Sequence, residues 1–218
     1  MNNQHIYCSG PLFCPEEIAG MQAISQILEQ SGYTTFLPHR DGLEAYVLKL
    51  IHTPLNTQIL GIRDYIDQAI FALDIYQIVR CCQAIVVNLN GRTPDEGAIV
   101  EASIAFSCSK PVLFYKNDSR APFYGRDNAM VLGLSCYPIE TDLNTIPKRL
   151  DHIFKQTSHT EAPYSLNGSL LKTIALGEKI WKIMKPFHII QRKTTQQIQH
   201  LVQQIIESCE TFSDRIDH

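Results

Sequence analysis

Three carboxylates fall close together in one stretch, Asn88-Leu89-Asn90-Gly91-Arg92-Thr93-Pro94-Asp95-Glu96-Gly97-Ala98-Ile99-Val100-Glu101. Acids so placed can act as nucleophile or as general acid and base, provided the fold holds them beside a crevice. Asp95 and Glu96 have a plainer reading, because acids that follow a Pro and precede a helical pattern start and cap that helix. Glu101 is different. It sits between Val100 and the small, apolar run Ala102, Ile104, Ala105, Phe106, where a solvated charge gains little. On the sheet-facing side of such a helix a carboxylate needs a partner or a task.

The elements that must position these acids are legible on either side. Ala84 to Val87 is an apolar run that reads as a buried parallel strand, and the periodic segment through Ala105 and Phe106 reads as a helix. A strand end handing over to a helix start is where open α/β sheets place their ligands. Two more strand ends should border the same crevice. His5-Ile6-Tyr7-Cys8 ends in Ser9-Gly10-Pro11, and Tyr33 to Leu37 ends in Pro38-His39-Arg40-Asp41-Gly42, which reads as a loop. Between those strands Pro15-Glu16-Glu17 opens a helix that stops at Gly32. His39, Arg40 and Asp41 are read equally well as a polar turn.

Residues 43–62 carry a mixed pattern broken by Pro54 and Gly61. From Asp64 a helix is expected, with Ile66, Ala69, Ile70, Leu73, Ile78 and Val79 as its buried stripe; Asp74 falls beside it, a position that taken alone suits the surface. Val112 to Tyr115 gives a fourth strand. A long polar loop from Lys116 leads to Asn128-Ala129-Met130, and loops of that length in compact domains tend to bind something. A short strand near Leu134 to Tyr137 is expected to complete a five-stranded sheet. A helix should follow Pro147, then a turn-rich polar stretch over 156–169. Two further helices, about Leu170 to Met184 and Thr194 to Phe212, are separated by Pro186. Their Lys172, Lys179, Lys182, Lys185, Arg192 and Lys193 read as a solvated face rather than a basic binding patch. The expected division is an α/β domain over 1–156 and a C-terminal helical extension over 157–218.

Composition narrows the function. The chain of 218 residues is 44% hydrophobic and 19% charged with a formal net charge of -3, which suits a globular protein and gives no reason to expect nucleic acid. No apolar run reaches the length of a membrane span and the N-terminus enters a strand directly, so the expectation is a cytoplasmic protein without membrane partners. The 7 cysteines contain no Cys-x-x-Cys pair and mostly lie in apolar runs, as reduced thiols rather than disulfides or a zinc site. No metal or cofactor is expected. Neither Gly-x-Gly-x-x-Gly nor Gly-x-x-x-x-Gly-Lys-Ser/Thr is present, and no Gly-x-Ser-x-Gly elbow offers a serine. Carboxylate chemistry remains.

Four segments together resemble the nucleoside 2-deoxyribosyltransferase family: Ile6-Tyr7-Cys8-Ser9-Gly10-Pro11-Leu12-Phe13, Leu37-Pro38-His39-Arg40-Asp41-Gly42, Asn88 to Glu101, and Asn128-Ala129-Met130. They run from the N-terminus to about residue 137, with Asp95 six residues before Glu101. The resemblance implies a flavodoxin-like (Rossmann-like) parallel sheet and an exchange in which deoxyribose passes from one base to another. It implies Glu101 as nucleophile, Tyr7 as the residue that orients it, and Asp74 and Asp95 as acids lining base and sugar. Ser9, Gly10, Phe13, Arg40, Asp41, Gly91 and Gly97 would line the substrate site. Asn128 and Met130 match a segment lent by a neighbouring subunit, so a homo-oligomer, a dimer or multiple of dimers with shared sites, is expected. The partners implied are purine or pyrimidine 2-deoxyribonucleosides and free bases.

This chain departs from the family pattern in places. Ser103 replaces the glycine of the usual Glu-x-Gly-x-Ala, Asn90 stands where aspartate is common, and the region after residue 156 has no counterpart in compact members. These changes bear on base preference and on the ratio of transfer to hydrolysis. Two other readings stand beside transfer. One is an N-glycosidase in which water resolves the same intermediate, although the bulky Pro11, Leu12 and Phe13 do not make the phosphate nest a nucleotide hydrolase would need. The other is a non-catalytic nucleotide-binding module, which has no use for Tyr7, Asp95 and Glu101 together.

Overall fold

The computed structural model describes residues 4–51, 62–91, 93–120, 126–156, 165–190 and 192–213. The expected breaks at Pro54 and Gly61, residues 121–125 of the long loop and 157–164 of the polar stretch lie outside the described residues. In chain order the elements begin β1 (His5–Ser9), α1 (Pro15–Gln30), β2 (Thr34–Phe36), α2 (Pro38–Asp41), α3 (Glu44–Ile51) and α4 (Arg63–Tyr76). A π-helical turn (Gln77–Cys81) leads into β3 (Ala84–Asn88), followed by α5 (Glu96–Ser107), β4 (Val112–Tyr115) and α6 (Ala129–Leu132). A 3-10 turn (Leu143–Thr145), α7 (Ile146–Gln156), α8 (Gly168–His188) and α9 (Thr195–Ser213) complete them.

The chain forms two compact units, Met1–Leu37 with Ile78–Ser165, and Pro38–Gln77 with Leu166–His218. The C-terminal helices α8 and α9, expected as an extension over 157–218, share a core with α3 and α4.

In the first unit all the strands run parallel, in the order β2-β1-β3-β4. That is the flavodoxin-like order, whose direction of winding reverses between β1 and β3. Alternation along β1 sends Ile6 and Cys8 to one face, where they pack with Met21, Ile24 and Leu28 of α1 and Ile146, Leu150 and Ile153 of α7. Tyr7 and Ser9 therefore face the other side of the sheet. Glu17 helps start α1, its Oε2 accepting from the backbone N–H of Phe13 at 2.8 Å and of Cys14 at 3.2 Å.

The sheet has four strands, not five. Beyond β4 the expected strand at Leu134 to Tyr137 is replaced by turns, and only Glu140 pairs, donating its N–H to Phe114 O and accepting from Lys116 N, both at 2.9 Å. The Ser135 hydroxyl takes the Val112 carbonyl at 2.7 Å, an acceptor on which a fifth strand would depend, and Pro138 has no N–H to give. Two other differences concern helices. Residues 38–41 form the short helix α2 rather than a loop, with Pro38 at its first position where the missing N–H is harmless. Helix α8 runs past Pro186, which sits near its end, to His188.

The second unit is helical. Leu43, Tyr46, Val47 and Leu50 from the α3 region, Ile66, Ala69 and Leu73 of α4, Leu176, Ile180 and Met184 of α8, and Ile198, Leu201, Val202 and Ile205 of α9 form its core. Gly177 lets α8 approach α4 closely, since a Cβ there would lie 2.0 Å from Ala72 O. Lys172, Lys179, Lys182, Lys185 and Arg192 are exposed, whereas Lys193 is half-buried, donating to Ile190 O at 2.8 Å with its Nζ 5.7 Å from the Tyr46 ring centre.

Candidate active site

Glu101 lies on the second turn of α5, half-buried, on the side that meets β1. Tyr7 Oη donates to Glu101 Oε1 at 2.7 Å, and Ser9 Oγ donates to Glu101 Oε2. Each oxygen of the carboxylate is thus fixed by a separate hydroxyl. The geometry follows from the strand period, since Tyr7 and Ser9 are two residues apart on one face of β1, opposite Ile85 and Val87 of β3. Both are fully buried, and the Tyr7 ring stacks on Phe36 with centroids 5.5 Å apart. Ser9, expected from the resemblance to line the substrate site, touches the carboxylate.

Glycine and asparagine shape the strand ends. A Cβ at Gly10 would meet Asn88 Cβ at 2.8 Å and Met21 Sδ at 2.6 Å, so only glycine lets β1 leave the sheet here. Asn88 is buried and its Oδ1 accepts from Asn90 N at 3.0 Å, turning the chain after β3. Gly91 has φ 116, a left-handed conformation that costs other residues dearly.

Asp95 is the N-cap of α5. Its Oδ2 accepts from Ala98 N at 2.7 Å, and a Cβ at Gly97 would come within 3.2 Å of that oxygen. The capping role read from the sequence is therefore present, and Glu101 lies about 9 Å further along the helix axis at 1.5 Å per residue. Ser103, the departure from the family glycine, donates to Ile99 O at 2.7 Å within its own helix.

The remaining expected residues divide between the units. Phe13 is 83% exposed and Met130 81% exposed in the first unit. Asn128 caps α6, its Oδ1 accepting from Met130 N at 2.9 Å, while the residue stays exposed. In the second unit the Arg40 guanidinium grips Asp41, Nε to Oδ1 at 2.9 Å and Nη2 to Oδ2 at 2.8 Å. Asp74 is buried on α4, not at the surface as its sequence context suggests.

The sequence singled out Asn90 but not the partners it meets. Asn90 Oδ1 accepts from Asn117 N at 2.9 Å and Asp118 N at 3.1 Å, while Asp118 Oδ2 accepts from Gly91 N at 3.1 Å. Asp118 also accepts from Arg120 Nε at 2.9 Å, and the Arg120 side chain holds its carboxyl well below the usual carboxylate range. A buried ion pair, Lys116 Nζ to Asp127 Oδ1 at 2.5 Å, fixes both ends of that loop. Asn-Asp pairs in a turn-rich run are a signal of local turns, but nothing in the sequence says that one turn grips another.

Among the described residues no group of three or more His, Cys, Asp or Glu is placed to hold a metal ion, and no helix is long and apolar enough to cross a membrane.

The fold and site define a parallel α/β protein whose switch point carries a carboxylate held by two hydroxyls. Over residues 6–141 the sequence matches the family described as nucleoside 2-deoxyribosyltransferase, and the chain belongs to that family. It is an enzyme of a family that acts on nucleosides and bases. Similar solved structures include a 2-deoxyribosyltransferase from Bacillus psychrosaccharolyticus, at 16% identity and TM-score 0.44, covering 66% of this chain and 90% of that one. A 2-deoxyribosyltransferase from Leishmania mexicana is similar at 15% identity and TM-score 0.42, covering 71% and 99%. A CMP N-glycosidase from Clostridium botulinum is similar at 14% identity and TM-score 0.39, covering 68% and 99%. No curated protein matches the sequence.

Proposed function

We propose that this protein is a nucleoside 2-deoxyribosyltransferase that exchanges the base of 2-deoxyribonucleosides through a covalent deoxyribosyl intermediate on Glu101. The observation that carries this reading is the carboxylate held on Oε1 by Tyr7 and on Oε2 by Ser9. The two hydroxyls hold the carboxylate in one orientation. A nucleophile held in one orientation meets the sugar without a search, which is a large part of what a site contributes to rate.

In the first half-reaction a Glu101 oxygen bonds to the anomeric carbon as the bond to the base nitrogen breaks. The electron pair leaves with the base, which takes up a proton at a ring nitrogen, and the sugar carries oxocarbenium character between the two events. A 2-deoxy sugar lacks the electron-withdrawing 2-hydroxyl and reaches that cation more easily. The incoming base then attacks the same face, displaces Glu101 and gives up a proton, so configuration is retained. Asp95, at the N-terminus of α5, or Asp74 carries the proton to and from the base. The neighbouring subunit of a homo-oligomer would bring Asn128 and Met130, and free thiols throughout suit a cytoplasmic enzyme.

The test incubates the protein with deoxyinosine, with and without adenine, and separates the products. New deoxyadenosine supports transfer. Hypoxanthine released equally in both tubes replaces the reading with an N-glycosidase, and an unchanged substrate in both removes it.

A further inference from the structure

We infer that Asn90 and Asp118 are positioning residues, a reciprocal clasp that sets how tightly the nucleoside is held while Tyr7 and Ser9 separately set how well Glu101 reacts. The inference rests on the transferase reading for its substrate. The clasp joins the loops that leave β3 and β4. Asn90 gives its carbonyl oxygen to two backbone N–H groups of the β4 loop, and Asp118 returns a carboxylate oxygen to the N–H of Gly91. Arg120, through Nε and its own backbone N–H at 2.9 Å, holds the Asp118 carboxylate in place. Lys116, where this loop leaves β4, is itself paired with Asp127 out of water.

What the clasp restrains is the turn at Gly91, a left-handed residue, whereas Asp95 is held separately through its bond from Ala98 N. Glycine passes easily between conformations, so this turn loses its fixed shape once the partner of its amide is lost. Glu101 does not depend on it, because its oxygens are fixed from β1. Loosening the clasp should therefore spoil a wall of the crevice without disturbing the nucleophile. The side chain at position 90 also has a reason to be an amide. An aspartate there would set a second carboxylate beside Asp118, whereas Asn90 supplies the same oxygen without the charge.

The experiment compares wild type, Asn90→Ala, Asp118→Ala, the double variant and Asp118→Asn, measuring kcat and KM for cleavage of deoxyinosine, with hydrogen exchange at the Gly91 amide. Each alanine variant is expected to raise KM about fivefold or more while kcat stays within about threefold. The double variant should be little worse than either single one, since both remove one device. Asp118→Asn keeps an oxygen for the Gly91 N–H and should recover part of the loss. Simple destabilisation would instead lower kcat through a smaller folded fraction and leave KM alone, and that result overturns the inference. Additive effects in the double variant overturn it as well. If wild type cleaves no deoxyribonucleoside, the transferase reading falls, and the clasp is then judged by exchange. Faster exchange at Gly91 in Asp118→Ala supports it, and unchanged protection overturns it.

Discussion

Glu101 takes its position from two hydroxyls that differ in what surrounds them, and substitution can separate their roles. Tyr7→Phe removes one O–H but keeps the ring that stacks on Phe36, and Ser9→Ala removes the other at almost no change in volume. A hydrogen bond to a charged group contributes about 1.5–3 kcal/mol, so each variant should lose about 10- to 100-fold in kcat with its unfolding midpoint little changed. Glu101→Ala should lose nearly all turnover while remaining folded. A variant within about tenfold of wild type, ~1.4 kcal/mol in barrier terms, would show that no covalent intermediate forms on this residue. His39 offers a prediction in pH. Both its ring nitrogens are buried without a hydrogen-bond partner among the described residues, and burial, then Arg40, push its pKa below the ordinary 6.5, with Asp41 opposing. The unfolded chain therefore takes up this proton before the native one, and the stability His39 contributes is lost as pH falls from 6.5 through its lower native pKa. Burial raises the Glu44 carboxyl above 4.5, which works in the opposite direction as pH falls through the interval above that value. In urea unfolding, His39→Asn should lose less stability between pH 7 and pH 5 than wild type does; an identical difference would mean that His39 titrates alike in both states.

At the scale of elements, close approach of backbones decides more than side-chain chemistry does. Helices α4 and α8 meet where Gly177 faces Ala72, and an added methyl would lie 2.0 Å from a carbonyl oxygen and 2.6 Å from Tyr76 Cβ. Backbone cannot swing aside as a flexible side chain can. Gly177→Ala should cost about 1–3 kcal/mol by overpacking, although alanine is the better helix former, and chemical denaturation will show the sign. A neutral or stabilised variant would mean that the two helices separate freely. The outer edge of β4 follows the same logic in reverse. There Ser135 and Glu140 satisfy scattered edge groups one by one, and a fifth strand is not needed to do it.

For the whole molecule the open question is assembly, and the exposed side chains frame it. Met130 and Phe13 leave most of their surface to water, and Asn128 stays exposed while capping α6. A shared site predicts complementation. Inactive Glu101→Ala mixed with inactive Asn128→Ala should regain activity once subunits exchange, because a mixed pair contains one pocket with both residues intact. A mixture that stays inactive although exchange is demonstrated, or a protein that is monomeric at assay concentration, rules sharing out. An active Asn128→Ala would show that capping α6 is all this residue does.

Much of this could be read from residue order, for a physical reason. Apolar periods of two and 3.6 are local properties, so β1, α1, β3, α5 and β4 show in the sequence, and so does the oddity of Glu101 in an apolar helical face. The family resemblance added Tyr7, whose place on β1 put it next to the strand that feeds α5. Other features depend on partners remote in sequence, and no local pattern carries them. The packing of α5 on β1 decides that Ser9 as well as Tyr7 reaches Glu101. Helix packing decides that Asp74 is buried and that the C-terminal helices pack on α3 and α4. The grip of Asn90 on the Asp118 loop needs two turns, 27 and 28 residues apart, to meet at the ends of neighbouring strands. Sequence determines which groups are available and on which face of an element they lie, whereas only tertiary packing determines which of them touch.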